Sequence, residues 1–268
     1  MLLNHKSIRI IKHFVIIVFA VLISFSAFYT LWLSPKYTVP ILMYHRFGYK
    51  EDNLFVTPEN LERQTKYLKD KKYNIIKLDE LIDGIKSGRK FKHNTVVITI
   101  DDGYQDNYSS GYPIFKKYDI PVTIFLVANQ IGNDKLFLNW DEVRAMLNNG
   151  VSFGGHTKNH AYLPLTEDKD AVWDEIKGCK DIIERNIGSH INHFCYPGGG
   201  FNNTIKELVV KAGYVSVCTT NRGSSKLNLD VYELKRIKVK NTDTNEPFSF
   251  AAKLSGYYNL FRSIKEGH

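Results

Sequence analysis

Cysteine is scarce in this chain: Cys179, Cys195 and Cys218 are the only three in 268 residues, an odd number at wide spacing. That excludes a disulfide framework and any zinc cluster built on C-x-x-C pairs, and leaves room for one bridge at most. Internal repeats and low-complexity blocks are missing as well, which excludes a solenoid. No acidic residue precedes Pro35, and Lys6, Arg9 and Lys12 in that stretch carry three of the net +8 charges. The rest are dispersed, too thinly for nucleic acid though suited to an anionic polymer or cell-wall neighbour. Nothing in the composition points to a protein partner. The length suffices for one sizeable α/β domain, or two small ones, with a core that needs no staples.

Charge is absent altogether from Phe14 to Leu33, twenty residues that follow three basic ones. A run of that length can span a bilayer with its amino end in the cytoplasm. The competing reading is a cleaved signal peptide, against which stand the long apolar region and the weak cleavage sequence Ser24-Phe25-Ser26. Either reading exports everything after Tyr37. Unpaired cysteines do not contradict export.

What is present is an alternation of strand and helix signals. Val39 to His45 reads as a buried strand, and a helix opens at Thr57 with Pro58 in its first turn. Asn74 to Leu78 is expected as a strand, Asp79 to Ser87 as a helix and Thr95 to Ile100 as a strand buried on both faces. Helices at 112–118, 140–149, 168–186 and 205–212 then alternate with strands at 121–128, 151–156, a short one opening 193–200, and 214–220. Such alternation over some two hundred residues implies a parallel sheet, open or closed into a barrel. Ligands of parallel α/β folds bind at the carboxyl ends of the strands. His45, Asp101, Asp102, His156 and Pro197 all fall at such ends.

Three motifs carry the chemistry. Asp101-Asp102-Gly103 ends the central strand; a plain turn would explain it, but charges at the end of a buried strand are rarely left unpaired. Consecutive strand residues point to opposite faces, so both carboxylates can address one site only if the strand breaks there, which Gly103 allows. His156 and His160 are four apart and share a face if the chain turns helically after Gly154 and Gly155. Two imidazoles and a carboxylate make a hydrolytic metal site with open positions, leaving the second aspartate to take a proton from the attacking water. The glycines of Phe194-Cys195-Tyr196-Pro197-Gly198-Gly199-Gly200 connect strand to helix and would let backbone N–H groups approach an oxyanion.

Together, the Asp101–Gly103, His156–His160 and Tyr196–Gly199 motifs resemble those of the polysaccharide deacetylases of the NodB-homology group, carbohydrate esterase family 4, over roughly Pro40 to Lys240. The resemblance implies a distorted (β/α)7-type barrel behind the transmembrane helix, and removal of N-acetyl groups from amino-sugar polymers, or of O-acetyl groups. It implies one divalent metal, zinc first, with cobalt, nickel or manganese as alternatives. By position, Asp101 is then the base, Asp102, His156 and His160 hold the metal, and the Gly198 N–H binds the oxyanion. Two features depart from the family pattern. Cys195 stands where many members have an arginine that orients the base, and the late Leu-x-His motif that supplies the acid is missing. The poly-N-acetylglucosamine deacetylase branch looks similar in both respects and takes its acid from an early strand resembling Pro40–Phe47. This puts His45 forward as the acid, with Tyr44 nearby, and Arg236 as a substitute orienter of Asp101.

Tyr44, Tyr196 and Pro197 are expected to contact the glycan, and Tyr104, Phe201 and Trp140 are aromatic candidates for stacking on sugar rings. For Trp140, packing on the barrel is the plainer reading. The expected organisation is a basic cytoplasmic segment at 1–13, an anchor at 14–33, a linker at 34–38, a catalytic domain at 39–245 and a C-terminal helix or tail at 246–268. The function expected is N-deacetylation of poly-N-acetylglucosamine or peptidoglycan outside the cell. The rival readings are an O-acetyl esterase on xylan-like polymers and a glycan-binding module that has lost turnover.

Overall fold

The computed structural model describes residues 5–263 and divides into two compact units, Met1–Tyr37 and Thr38–His268. The extremities of the first and last expected segments lie outside the described residues. In the first unit, helix α1 spans His5–Ala27 and a π-helical turn continues it over Phe28–Leu33. The helical stretch Ile11–Lys36 is long and apolar enough to cross a membrane. Its end carries Lys36 directly over the Trp32 ring, at 3.2 Å from the centroid.

The second unit follows the alternation. Strands β1 (Ile41–Tyr44), β2 (Arg46–Phe47) and β3 (Phe55–Val56) precede α2 (Pro58–Asp70), whose first turn is capped by the Thr57 hydroxyl as the sequence requires. There follow β4 (Asn74–Ile75), α3 (Leu78–Lys86), β5 (Thr95–Ile100), α4 (Tyr112–Lys117), β6 (Thr123–Leu126), α5 (Trp140–Leu147) and β7 (Ser152–Gly155). The remainder is α6 (Lys169–Trp173), α7 (Cys179–Ile187), β8 (His193–Cys195), α8 (Asn203–Lys211), β9 (Ser216–Cys218), β10 (Ile237–Lys238) and α9 (Pro247–Leu254). A π-helical turn at Asp174–Gly178 joins α6 to α7, so the long helix expected there is locally rewound.

The main sheet is parallel throughout, in the order β10-β1-β5-β6-β7-β8-β9, with β4 beside the start of β5. The last strand matters most for the site. Leu234 bridges to Cys218 of β9 while Ile237 pairs with Leu42 of β1, so the segment 234–238 crosses from one edge of the sheet to the other. Arg236 sits at that seam and is fully buried. This strand had no signal in the sequence, because two ladder residues set no periodicity.

Several expected strands are shorter than their apolar runs. Asn74–Leu78 yields a two-residue strand, since Leu78 already starts α3, where it is fully buried. The tail after 246 forms α9 up to Leu254 and a 3₁₀ turn at Tyr258–Leu260; Phe250 and Leu254 are buried, and Phe250 meets the Tyr67 ring edge-on.

The glycines before His156 are there for packing. A Cβ on Gly154 would lie 2.6 Å from the His193 carbonyl oxygen and 2.7 Å from the Phe125 ring. Neither group can step aside, so Gly154→Ala is expected to cost about 1–3 kcal/mol by overpacking. Denaturant unfolding checks this; an unchanged midpoint would show that β7 and β8 can separate without penalty.

A candidate metal and acid–base site at the strand ends

Strand β5 delivers its aspartates to one place through a backbone reversal. Asp102 has φ of +76° and Gly103 +77°, so the chain turns left-handed immediately after Asp101. The break therefore begins at Asp102 itself, one residue earlier than Gly103 alone would make it. Asp102, Thr157 and His160 are three of the five non-glycine residues with positive φ among the described residues. Such conformations cost free energy and cluster where function requires them.

His156 and His160 converge on Asp102 without a helix. Residues 156–160 form a loop in which His156 N–H bonds to the Leu126 carbonyl, while Lys158 N–H and Asn159 N–H bond to the Glu175 carbonyl and carboxylate. The expected helical turn is thus replaced by ties to the β6 and α6–α7 segments. The consequence for the imidazoles is the one the spacing suggested. Nε2 of His156 lies 3.4 Å and Nε2 of His160 3.3 Å from Asp102 Oδ1. His156 is buried and its Nδ1 faces the Cys195 carbonyl at 2.8 Å. A carbonyl only accepts, so Nδ1 carries a hydrogen, and Nε2, the nitrogen that faces Asp102, is the one that would bind a metal once it gives up its proton. The side chain of His160 is half exposed. Donor atoms of all three residues lie within 4.8 Å of one another, a set that fits a divalent cation with positions left for water and substrate.

Asp101 is held differently. It is buried, and the two terminal nitrogens of Arg236 meet its two oxygens at 2.5 and 2.6 Å. Arg236 is fixed in turn by donating to the Thr219 carbonyl (2.9 Å) and the Thr99 hydroxyl (3.1 Å). It also lies 3.0 Å from the Cys195 sulfur, so the guanidinium reaches Asp101 across the position where the arginine of other sequences would start. Burial raises the Asp101 pKa, but the charge and hydrogen bonds of Arg236 outweigh it, and the carboxyl is held below its ordinary value. Asp102 is likewise lowered: burial opposes ionisation, and its bonds to His156 and His160 prevail.

His45 stands between β1 and β2 with Nε2 3.9 Å from Asp101 Oδ2. Burial lowers its pKa, while Asp101 and Asp102 act in the opposite direction. Gly198, with φ of +61°, is exposed on the loop after β8.

Three expected glycan contacts are corrected by burial. Tyr44 points into the core, where its hydroxyl donates to Gln64 at 3.0 Å. Tyr196 is fully buried and stacked on Phe201, which is itself buried, and Pro197 is buried beneath the loop. The loop's glycines are instead overlain by Tyr162: a Cβ on Gly198 or Gly200 would meet its ring at 3.2 and 2.4 Å. Trp140 packs on the barrel, beside Gly132. Tyr104 is half buried, stacked on Phe137 with the Arg46 guanidinium 4.2 Å over it. Arg46, Asp106 and Asn107 escaped the sequence reading, because their mutual contacts join segments about sixty residues apart.

The sequence matches the family described as polysaccharide deacetylase over residues 88–217. It is 31% identical over 202 residues to a Bacillus subtilis protein named as a polysaccharide deacetylase, YxkH, covering 75% of this chain and 71% of that one. It is 28% identical over 207 residues to the poly-β-1,6-N-acetyl-D-glucosamine N-deacetylase of Staphylococcus epidermidis, covering 72% of this chain and 71% of the relative. The fold is similar to that of the Streptococcus pyogenes deacetylase PplD in complex with acetate. There the TM-score is 0.72 at 28% identity, over 78% of this chain and 96% of that one.

Proposed function

The chain belongs to the polysaccharide deacetylase family, hydrolases of acetylated glycans, and from that premise we propose that it is a metal-dependent N-deacetylase acting outside the cytoplasm on an amino-sugar polymer. The named activity of the staphylococcal relative makes poly-β-1,6-N-acetylglucosamine the first substrate to test, with peptidoglycan second. The apolar stretch Ile11–Lys36 would serve as anchor, or as signal sequence if cleaved.

The observation that carries the reading is the side-by-side arrangement of an Arg236-held Asp101, His45 at 3.9 Å from it, and the Asp102–His156–His160 donor set. Those three donors would hold the cation, zinc ahead of cobalt, nickel or manganese for two imidazoles and one carboxylate. When bound, it polarises the acetyl carbonyl and makes water more acidic. Asp101, kept ionised by Arg236, accepts a proton from the attacking water as oxygen adds to the carbonyl carbon. The Gly198 N–H would donate to the oxyanion that results. The carbon–nitrogen bond then breaks, and His45 supplies the proton with which the sugar amine leaves; acetate is the other product. Burial lowers the His45 pKa, so the ring holds a proton weakly and passes on to the amine any proton it receives.

The test is acetate release from N-acetylated glycans by the full chain in detergent, before and after chelation, with Asp101→Asn beside it. Release from poly-β-1,6-N-acetylglucosamine is expected, lost on chelation and restored by zinc. Asp101→Asn is expected to fall about 10²- to 10⁴-fold with bound metal retained. No acetate from any N-acetylated polymer by the zinc-loaded chain would refute the proposal.

Metal binding should also release protons. At His156 burial favours the neutral ring, yet Cys195 and Asp102 raise its pKa on balance; at His160 the Asp102 hydrogen bond raises it against burial. Both rings must be neutral at Nε2 to bind a cation, so zinc affinity is expected to weaken as pH falls. Calorimetric titration at pH 7 in buffers of different ionisation enthalpy measures the protons released, and buffer-independent heats would contradict the assignment.

A further inference from the structure

His45 occupies a gap in the ladder: β1 ends at Tyr44 and β2 begins at Arg46, so its carbonyl finds its partner outside the sheet. The loop after β5 provides one. Asn107 Nδ2 donates to the His45 carbonyl oxygen at 2.8 Å. Asp106 accepts from Phe47 N–H through Oδ1 (3.0 Å) and from Arg46 Nε through Oδ2 (2.8 Å). The two grips are tied together, since Asn107 Nδ2 is also 3.1 Å from Asp106 Oδ1. Three consecutive residues of one segment are thus held by two consecutive residues of another. Arg46 is further confined between aromatic rings, 4.2 Å over Tyr104 and 4.6 Å over Phe55.

Asn107 is only 1% exposed, and its Oδ1 has no hydrogen-bond partner among the described residues. An unpaired buried acceptor costs roughly 1–3 kcal/mol, and the amide cannot be flipped to cure it, because both groups facing Nδ2 are acceptors. What this side chain contributes is therefore its two N–H bonds, one of them to the backbone from which His45 projects.

We propose that Asn107 and Asp106 are positioning residues for His45, an inference that rests on the reading of His45 as the acid. The loop that presents Asp101 and Asp102 with its first residues holds the acid's backbone with its later ones. One segment thereby sets acid and base against each other.

The test compares two acetyl donors with the zinc-loaded full chain in detergent. An N-acetylated β-1,6-glucosamine oligomer has an amine leaving group that departs only with a proton; 4-nitrophenyl acetate has a phenolate that departs without one. Asn107→Ala and Asp106→Ala are expected to lower kcat on the oligomer by about 10- to 100-fold with KM little changed, as small misplacements of a catalytic group do. Turnover of the aryl acetate is expected to hold. The double variant His45→Ala/Asn107→Ala should be no slower on the oligomer than His45→Ala alone, because the second change acts only through the first.

Equal losses on both substrates, additive losses in the double variant, or undiminished oligomer turnover would each overturn the proposal. If His45→Ala itself slows both substrates alike, the acid assignment fails and this inference falls with it. If His45→Ala separates the substrates and Asn107→Ala does not, the positioning alone is wrong. Asn107→Leu, which keeps the volume, stands in should Asn107→Ala fail to fold.

Discussion

Arg236→Met is expected to destabilise the folded domain by about 3–5 kcal/mol at neutral pH and to lower acetate release at least about 100-fold. Removing the guanidinium strands the Asp101 carboxylate in a site where it is 3% exposed, with the Cys195 sulfur and His45 as the nearest substitutes. The same change deprives the base of its two-point alignment. The effect has a signature in pH. In the wild type the Asp101 pKa is depressed, so the pair's contribution is present above the unfolded value, near 3.9, and is lost as pH falls through the folded one. In the variant burial is the largest influence left, opposed by the charges of His156 and His45 alone, so the folded pKa rises and the penalty is relieved by protonation. The gap in stability between the two proteins should therefore narrow as pH is lowered. Chelated samples unfolded in denaturant between pH 7 and pH 5 read this directly. A gap that stays constant would mean that Arg236 stabilises through packing at the seam between β9 and β1 rather than through the carboxylate.

Asp102→Ala should have the larger effect on metal and the smaller one on the fold. Asp102 is the residue on which both imidazoles converge, so its loss removes one donor and the common orientation of the other two. Changes to groups that merely orient a ligand cost 10–100-fold in affinity, and loss of a ligand itself is expected to exceed about 100-fold. His156→Ala should behave alike, because its ring is buried and pinned by the Cys195 carbonyl. Zinc content measured after gel filtration, with acetate release, checks both. Binding to the native state stabilises it by mass action, about 4 kcal/mol at a thousandfold excess over Kd. The wild-type melting temperature should therefore climb with added zinc and that of either variant should not. Retention of stoichiometric zinc by Asp102→Ala would place the metal elsewhere, with the buried Asp101–His156–Cys195 group as the first alternative.

How far the sequence could be read depended on whether a feature was local. Thr57 with Pro58 declares a helix start within two residues, and that cap forms. The six β-branched residues before Asp101, four of them apolar and two threonines, could only be a strand buried on both faces, and they are. Misreadings arose where the period was right but the partner was unknown. Tyr44 and Tyr196 stand beside site residues in the chain, yet a neighbour on a strand points to the opposite face, and both belong to the core. The spacing of His156 and His160 suggested a helical turn, whereas the loop achieves the same convergence with two left-handed residues, Thr157 and His160.

The sequence by itself determined the alternating α/β class, the apolar amino-terminal stretch, and the residue types gathered at strand ends, because these depend on composition and on periods of two and 3.6. The resemblance put forward Arg236 as the orienter of Asp101 and His45 as the acid; the tertiary structure decided how those residues are held in place. Arg236 reaches Asp101 because a two-residue strand crosses from β9 to β1, and His45 faces Asp101 from a gap gripped by Asp106 and Asn107. Those contacts span 135 and about sixty residues of chain. No local pattern encodes them: an arginine before a short strand and an asparagine in a loop read the same whether they meet water or a buried partner.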